Sequence, residues 1–323
     1  MVRKVAYLIL ASAIAALVIW IHYSGDRKLA GLDISFWYES LYTALVLVMG
    51  VPVLLKYRRK KYFAVRTATV MVVQLLFGYL LSYFLLPDSV RGGSGPGTTL
   101  FGPFLQNFWP LEINGVLISK YIPLNPIVVG WLVYTIGTSL VLMPLIVMRF
   151  GRAYCSWFCA CGALAETAGH PFRTQSPKGP RSSQFEWLMA PMVLFAVIAT
   201  VSVLLGWGGN EIGQTRLSLG YDFWGKFVLS GIIGLTTYPL LGPRIWCRYF
   251  CPWAGLFGAI GKWGKAGIAA NDLCMGCGMC NKHCEMGIDI RTNALKGQST
   301  KTTSCVYCGA CVAVCPRRVL RMM

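Results

Sequence analysis

Cys274-Met-Gly-Cys277-Gly-Met-Cys280-Asn-Lys-His-Cys284 and Cys305-Val-Tyr-Cys308-Gly-Ala-Cys311-Val-Ala-Val-Cys315 decide how the last fifty residues of this chain fold. Both stretches have the spacing C-x2-C-x2-C-x3-C, and the second one is followed by Pro316. Thiolates are soft ligands that suit iron, and this spacing lets three sulfurs bind one cluster while the fourth reaches the other. The sequence therefore predicts two 4Fe-4S clusters with crossed ligand sets.

The crossed pattern assigns each cysteine to one cluster. The first set is Cys274, Cys277, Cys280 and Cys315, and the second set is Cys305, Cys308, Cys311 and Cys284. A pair of zinc knuckles is the alternative, but zinc sites usually use two C-x2-4-C pairs separated by a longer loop. Glu285 stands where the first motif would carry proline, which removes no ligand but changes the local turn or the cluster potential.

The composition is that of an integral membrane protein. Of the 323 residues, 55% are hydrophobic and 13% are charged, with a mean hydropathy of +0.56. The formal net charge of +18 raises nucleic-acid binding as an alternative, so the placement of the basic residues has to decide. The thirteen cysteines are grouped in ligand-type motifs, which favours metal sites on a reducing, cytoplasmic face over disulfides.

Six apolar segments reach the roughly 20 residues needed to cross a bilayer. The first follows a charged start without a convincing cleavage site, so we interpret it as a retained anchor. The predicted spans are residues 5–22, 35–55, 67–86, 126–148, 186–206 and 223–242. In this arrangement 24 of the 30 lysine and arginine residues lie on one side. By the positive-inside rule, both termini and the cysteine-rich segment face the cytoplasm, and nucleic-acid binding gains no support.

Two related sequences follow the fourth and sixth predicted spans. They are Gly151-Arg-Ala-Tyr-Cys155-Ser-Trp-Phe-Cys159 and Pro243-Arg-Ile-Trp-Cys247-Arg-Tyr-Phe-Cys251. We interpret them as the ends of two parallel hairpin repeats, preceded by a two-span extension. The predicted fold class is thus an all-α membrane protein of about six transmembrane helices, with a small C-terminal α+β ferredoxin domain of the bacterial 2x4Fe-4S type.

The four cysteines of these repeats, Cys155, Cys159, Cys247 and Cys251, are called the cysteine quartet below. On a continuing helix, Cβ atoms four residues apart are roughly 5 to 6 Å apart. An unstrained disulfide needs roughly 3.5 to 4.5 Å, so a local disulfide is disfavoured unless the helix breaks near Pro252. Three interpretations stay open: a third metal centre, redox-active thiols, or buried structural cysteines. Cys161 has no counterpart in the second repeat.

These motifs together resemble the membrane polyferredoxins of the NapH/NosR type, over roughly residues 65 to 323. The chain differs from that pattern in having Ala160 where the first motif would have proline. It also lacks a large flavin-binding domain of the NosR kind, so the closer likeness is to NapH. The resemblance implies electron transfer between the quinone pool, cytoplasmic iron-sulfur clusters and a periplasmic reductase chain, in the bacterial cytoplasmic (inner) membrane.

Other chemistry has little support in the sequence. The three histidines, His22, His170 and His283, do not lie well inside a predicted span, so the sequence does not offer two axial histidines for a membrane haem. Glu39 and Glu186 are the ionisable candidates near the membrane, and each is equally well explained as a helix-end residue. We do not name a catalytic residue.

The expected organisation has three parts: a two-helix extension (1–60), a four-helix membrane core with the two C-x3-C repeats (61–265), and the ferredoxin domain (266–323). The leading hypothesis is an electron-transfer subunit of a quinol-linked oxidoreductase, with lipid, quinone and iron-sulfur or cytochrome subunits as partners. The alternatives are a copper reductase or assembly factor for a respiratory enzyme, and a structural membrane anchor of a larger redox complex.

Overall fold

The computed structural model describes residues 28–29, 32–85, 109–110, 113, 133–134, 137–207 and 215–323. Its helices up to the cysteine-rich segment are α1 Ile34–Tyr57, α2 Lys61–Val73, α3 Met143–Phe150, α4 Tyr154–Trp157, α5 Ala160–Glu166, α6 Pro180–Ser183, α7 Met189–Leu205, α8 Arg216–Gly220, α9 Gly234–Thr236, α10 Tyr238–Leu241 and α11 Pro252–Gly261. Stretches of π-helix cover Gln74–Leu85, Gly137–Leu142, Tyr221–Ile233 and Trp246–Phe250, and 3₁₀ turns cover Gly151–Ala153, His170–Gln175 and Gln184–Leu188. A short antiparallel pair, β1 Lys28–Leu29 and β2 Leu32–Asp33, precedes α1.

Three helical segments of the described residues are long and apolar enough to cross a membrane, namely Glu39–Tyr57, Lys61–Leu81 and Gln184–Leu205. They correspond to the predicted spans 35–55, 67–86 and 186–206. The predicted span 5–22 lies outside the described residues, and so do residues 126–132 and 135–136 of the span 126–148. These three segments make the chain a membrane protein, while the larger number of spans remains a prediction.

The predicted sixth span, 223–242, is not a continuous helix in the structure. The π-helix Tyr221–Ile233 runs into α9, and the helix is interrupted at Thr237 before α10 begins. Pro239 lies in the first turn of α10, where its missing N–H costs no hydrogen bond. The apolar composition of this segment predicted a span, but the backbone is divided into shorter helices.

The last sixty residues form a small α+β unit. Its helices are α12 Met279–His283, α13 Arg291–Leu295 and α14 Ala310–Val314. The strands β3 Ile268–Ala270 and β4 Leu320–Met322 pair antiparallel, with Ile268 opposite Met322. The pairing joins the two ends of this unit, so that the cysteine motifs between the strands are held in one compact core. The predicted ferredoxin-like domain is therefore present.

The membrane helices and the cysteine-rich unit pack against each other. Helix α1 packs on α2, and α7 packs on α11. Tyr62, at the start of α2, donates a hydrogen bond from its hydroxyl to the carbonyl oxygen of Tyr307, at 2.7 Å. Ser156 in α4 donates to the carbonyl oxygen of Val306, at 2.6 Å. Both bonds hold the second cysteine motif against the ends of the membrane helices.

Candidate metal centres

The first cavity with cysteine walls lies between α12 and the chain's last strand. Four cysteines line it, namely Cys274, Cys277, Cys280 and Cys315. Gly276 and Gly278 both have positive φ values, of 73° and 74°, which lets the backbone turn tightly around the cavity. The structure thus places together the four cysteines that the crossed pattern assigned to one cluster.

The second cavity is lined by the start of α14 and by residues of β3 and β4. Its cysteines are Cys284, Cys305, Cys308 and Cys311. The backbone N–H of Ile288 points at the sulfur of Cys284, at 3.4 Å. Hydrogen bonds of this kind to cluster sulfurs are among the factors that set a reduction potential. The second crossed set is therefore also together, including the cysteine contributed by the first motif.

The chemistry of these cavities fits iron-sulfur clusters. Burial raises the pKa of Cys305 to about 12, and burial also raises the pKa values of Cys280, Cys284 and Cys311. Without a metal, such buried thiols stay protonated, since the thiolate loses its hydration. A soft metal supplies the positive charge that stabilises the thiolates. Each cavity presents four soft donors around one space, which suits a 4Fe-4S cluster.

The cysteine quartet lies at the junction of the membrane helices and the cysteine-rich unit. All four thiols are buried, and none of the thirteen cysteines forms a disulfide. Cys159, Cys247 and Cys251 belong to one apolar core, packed around Trp253. Cys155 belongs to the core of the cysteine-rich unit, together with Cys305. The two C-x3-C motifs therefore converge in space.

The helix is interrupted within each C-x3-C motif. Cys159 and Cys251 both have extended backbone angles, with ψ values of 133° and 118°, and each directly precedes a new helix. Pro252 begins α11, yet Ala160 begins α5 in the same way, so proline is not needed for the break. The two motifs thus share a local backbone shape, in which an extended cysteine separates one helical turn from the next helix.

The thiols of the quartet influence each other's titration. The pKa of Cys155 is raised to about 12, first by burial and then by the neighbouring Cys159 thiolate. The pKa of Cys159 is lowered to about 7, chiefly by a hydrogen bond from the Cys161 side chain. Burial also raises the pKa values of Cys247 and Cys251. The quartet is therefore a set of close, desolvated sulfurs rather than four separate core residues.

A buried ion-pair network lies between the quartet and the second cavity. It consists of Arg66, Glu166, Arg173, Arg244 and Glu285. Glu166 accepts from Arg66 and Arg244, each at 2.5 Å, and also from Arg173. Glu285 pairs with Arg173 at 2.5 Å and with Arg244 at 3.0 Å. Buried charges are tolerated when they are paired in this way, because each ion replaces lost hydration with a neighbour.

Two arginines of this network reach cysteine sulfurs. The Nη1 atom of Arg244 is 3.8 Å from the sulfur of Cys247 and donates to the carbonyl oxygen of Cys155 at 2.9 Å. The Nη1 atom of Arg173 is 4.0 Å from the sulfur of Cys308. The network therefore touches both groups of cysteines and lowers the cost of negative charge on them.

Little in the sequence indicates this network. Glu285 stands out in the sequence only because it replaces a proline, and in the structure it is the acid that joins Arg173 to Arg244. Arg152 and Arg244 occupy the same position in the two related sequences, but their roles in the structure differ. Arg244 pairs with two carboxylates, whereas no carboxylate of the described residues lies within 4 Å of the Arg152 guanidinium. No motif in the sequence indicates that Glu166 or Arg173 belongs to an ion-pair network.

The remaining candidates have ordinary roles. Glu186 accepts from Arg248 at 3.0 Å and from the Ser304 hydroxyl at 2.7 Å, which fits its interpretation as a helix-end residue. His283 bonds the carbonyl oxygen of Met279 through Nδ1, at 3.0 Å. His170 packs edge-on against the ring of Tyr57.

An apolar cavity of about 540 Å³ adjoins both groups of cysteines. Tyr154 and Phe158 line it from the first C-x3-C motif, and Tyr307 lines it from the second ferredoxin motif. Its other walls come from α2, α3, α4 and the last residues of the chain, including Ile146, Trp157 and Met322. A molecule bound there would lie beside Cys155 and the second cysteine-lined cavity.

Comparison with known proteins defines the class. The model of a 4Fe-4S dicluster domain matches residues 273–320, the segment that holds both cysteine-lined cavities. The model of a 4Fe-4S binding domain matches twice, over residues 129–178 and 224–269, and so covers both C-x3-C motifs. The chain therefore combines candidate membrane helices with 4Fe-4S ferredoxin domains, which supports a part in iron-sulfur electron transfer.

Three relatives show which ferredoxin-type and electron transport proteins this chain is similar to. The ferredoxin-type protein NapH of Escherichia coli is 28% identical over 220 residues, covering 65% of this chain and 72% of NapH. The YccM protein of Escherichia coli is 23% identical over 262 residues, covering 76% of this chain and 68% of YccM. The methylamine utilization ferredoxin-type protein MauN of Methylorubrum extorquens is 29% identical over 203 residues, covering 59% and 68%. The resemblance to NapH-type polyferredoxins is confirmed. No solved structure matches the chain significantly.

Proposed function

We propose that this protein is a multi-pass membrane electron carrier that passes electrons between the quinone pool, or a cytoplasmic donor, and a respiratory oxidoreductase partner. Two 4Fe-4S clusters bound by the crossed cysteine sets carry the electrons. The observation that supports this best is the grouping of the eight ferredoxin cysteines into two cavities of four. Both termini lie on the cytoplasmic side in this proposal, as the distribution of basic residues favours.

When bound, each cluster supplies reversible one-electron transfer. The residues of the chain hold and tune this chemistry. The eight cysteines bind the iron, and the N–H group of Ile288 stabilises negative charge on Cys284. Arg173 does the same beside Cys308, and the apolar core excludes water from the second cavity. Positive charge beside a buried cluster makes the cluster easier to reduce, because it stabilises the added electron.

The apolar cavity beside Tyr154 and Tyr307 supports the link to quinone. The cavity has an apolar lining that includes Tyr154 and Tyr307, which are neighbours of cysteines in the sequence. Tyr62, at the start of a candidate membrane span, also lines the cavity. A lipid-soluble ring of the quinone class fits these properties, since such cavities bind ligands mainly through apolar contact. The Ile146→Trp variant fills the cavity, and we expect it to slow cluster reduction by a short-chain quinol without loss of iron.

The ligand assignment is tested on the full-length chain, purified in detergent without oxygen. We expect the Cys315→Ser and Cys274→Ser variants to change the same electron paramagnetic resonance signal, and the Cys284→Ser and Cys305→Ser variants to change the other one. Each variant loses about four iron atoms. Zinc in place of iron, or pairs that follow sequence order instead of the crossed order, contradicts the assignment.

Turnover measurements separate the proposal from its alternatives. If the chain is only a structural anchor, partner turnover stays unchanged in the four ligand variants. If it reduces copper for a respiratory enzyme, copper is reduced by the loaded chain in the absence of a partner. For an electron carrier, quinol-driven reduction of the clusters is lost together with the signals of the bound iron.

A further inference from the structure

The surroundings of the cysteine quartet contain a positive charge without a partner. Arg152 is 2% exposed, and its Nη1 donates to the carbonyl oxygen of Ala254 at 3.1 Å. Its Nε has no hydrogen-bond partner, and no carboxylate of the described residues lies within 4 Å of its guanidinium. An isolated buried charge is very costly. Something negative that is not a carboxylate has to balance it.

The ion-pair network does not supply this balance. Its three arginines, Arg66, Arg173 and Arg244, exceed its two glutamates, Glu166 and Glu285, so the network itself carries an excess positive charge. Arg244 directs part of that charge at Cys247, at 3.8 Å from its sulfur. The nearby groups that can become negative are therefore cysteine sulfurs: Cys308 of the second cavity beside Arg173, and the quartet beside Arg244.

The spacing of the quartet distinguishes between kinds of metal centre. A single tetrahedral metal ion with sulfur ligands at ~2.3 Å holds those sulfurs roughly 3.8 Å apart. Among the described residues, one group of three possible metal ligands has its ligand atoms within 4.8 Å of one another, namely Glu166, Glu285 and Cys308. No three sulfurs of the quartet are that close, and no three sulfurs of the ferredoxin cysteines are that close either. A cubane cluster, with iron at each corner, holds its four thiolates further apart and fits both cases.

We infer that Cys155, Cys159, Cys247 and Cys251 bind a third 4Fe-4S cluster, whose negative charge is balanced by Arg152 and Arg244. An oxidised cluster with four thiolates has a net charge of roughly −2. Cys161 is left out of the set because it has no counterpart in the second repeat, and its sulfur lies 3.9 Å from the Ser230 hydroxyl. The inference rests on the proposed function, because it assumes that the chain is loaded with iron-sulfur clusters.

This centre would extend the electron path towards the membrane. Cys155 shares an apolar core with Cys305 of the second cavity. The residues that follow them are joined directly, since Ser156 donates to the carbonyl oxygen of Val306. The third cluster therefore lies next to the second. A centre at this position shortens the electron-transfer step between the second cluster and the membrane.

The first experiment counts iron and acid-labile sulfide in the full-length chain, purified without oxygen. We expect about twelve of each per chain, and about eight in the Cys247→Ser variant. The matched control, Cys161→Ser, removes a neighbouring thiol and should keep about twelve. About eight iron atoms in the wild type and in Cys247→Ser, or one zinc ion in addition to eight iron atoms, overturns the inference and leaves the two-cluster function intact.

The failure of the proposed function has a different signature. In that case the Cys305→Ser and Cys274→Ser variants lose no iron, whatever the quartet variants do. If the Cys247→Ser protein keeps the signals of both ferredoxin clusters, it is folded, and its iron content reports on the quartet. If Cys247→Ser does not fold, the iron content of the wild type still decides between eight and twelve.

A second experiment tests the charge argument through the reduction potential. Removing a buried positive charge beside a cluster disfavours the added electron. We therefore expect Arg152→Met to lower the midpoint potential of the third cluster and Arg152→Lys to restore it. Arg149 is exposed and lies three residues away, so Arg149→Gln is the matched control and should leave the potential unchanged. An unchanged potential in Arg152→Met contradicts the proposed charge balance.

Discussion

At the scale of single residues, Glu285 joins two parts of the chain that are distant in sequence. It is 1% exposed, and its two oxygens pair with Arg173 and Arg244. It directly follows Cys284, a predicted ligand of the second cluster. The residue that replaces proline after the first motif thus fastens the cysteine-rich unit to the membrane helices.

Glu285→Gln should destabilise the protein strongly. The amide cannot balance the two guanidinium groups, and breaking a buried ion pair from one side costs about 3 kcal/mol. Thermal unfolding in detergent, followed by tryptophan fluorescence, measures this loss. Asp272→Asn changes an exposed acid of the same unit and should alter the stability by less than ~0.5 kcal/mol. Equal effects of the two substitutions would show that the network contributes nothing to stability.

His170 should make stability depend on pH. Burial, and then the nearby Arg173, lower its pKa from 6.5 to about 3. Between these values the unfolded chain binds a proton that the folded chain does not, so stability falls as the pH falls. The loss is up to about 1.4 kcal/mol per pH unit. We expect His170→Gln to have a shallower loss of stability than the wild type between pH 6.5 and 5, and parallel curves would contradict this.

At the scale of elements, the two short helices of the cysteine motifs begin in the same way but face different neighbours. Gly278 precedes α12 and Gly309 precedes α14, with φ values of 74° and 71°. A Cβ atom at Gly309 would lie 2.5 Å from ring atoms of Tyr62, whereas the nearest atom to one at Gly278 is 3.9 Å away. Helix α14 is therefore the one that packs closely on the membrane helices.

Alanine substitutions at Gly278 and Gly309 separate the cost of backbone strain from the cost of displacing Tyr62. Gly278→Ala should cost about 1 kcal/mol, because a side chain disfavours the left-handed backbone. Gly309→Ala has the same strain and also forces Tyr62 away, which adds about 2 kcal/mol. Chemical denaturation of the two variants in detergent gives the difference. If both lose the same stability, Tyr62 moves aside freely and the close packing of α14 is not required.

Local patterns explain which elements could be predicted from the sequence. The crossed cysteine sets follow from spacing within short motifs, and Cys315 and Cys274 meet because β3 pairs with β4. The break at Cys159 could not be predicted, because Ala160 permits a helix and only packing interrupts it. The pairing of Glu166 with Arg66 and Arg244 joins residues far apart in the chain, and nothing in their local sequence indicates it.

At the scale of the whole molecule, the side of the membrane on which each part lies can be tested directly. Reporter fusions at residues 110 and 323 should report opposite sides, since most basic residues follow the cytoplasmic ends of the predicted spans. A fusion after Lys178 should report the same side as residue 323. Activity of the same type at residues 110 and 323 would contradict the predicted arrangement of spans.

The buried contacts between the cysteine-rich unit and the membrane helices have a consequence for how electrons reach the protein. Glu285, Ser156 and Tyr62 each bind across that boundary, so the unit cannot swing out on a tether to meet a distant donor. In electron carriers whose cluster domain is tethered by a flexible linker, the transfer rate depends on the linker length and on the time needed to find a partner. In this protein the cysteine-rich unit is fixed. The rate of electron exchange is therefore set by how often a mobile partner or a diffusing quinone reaches it.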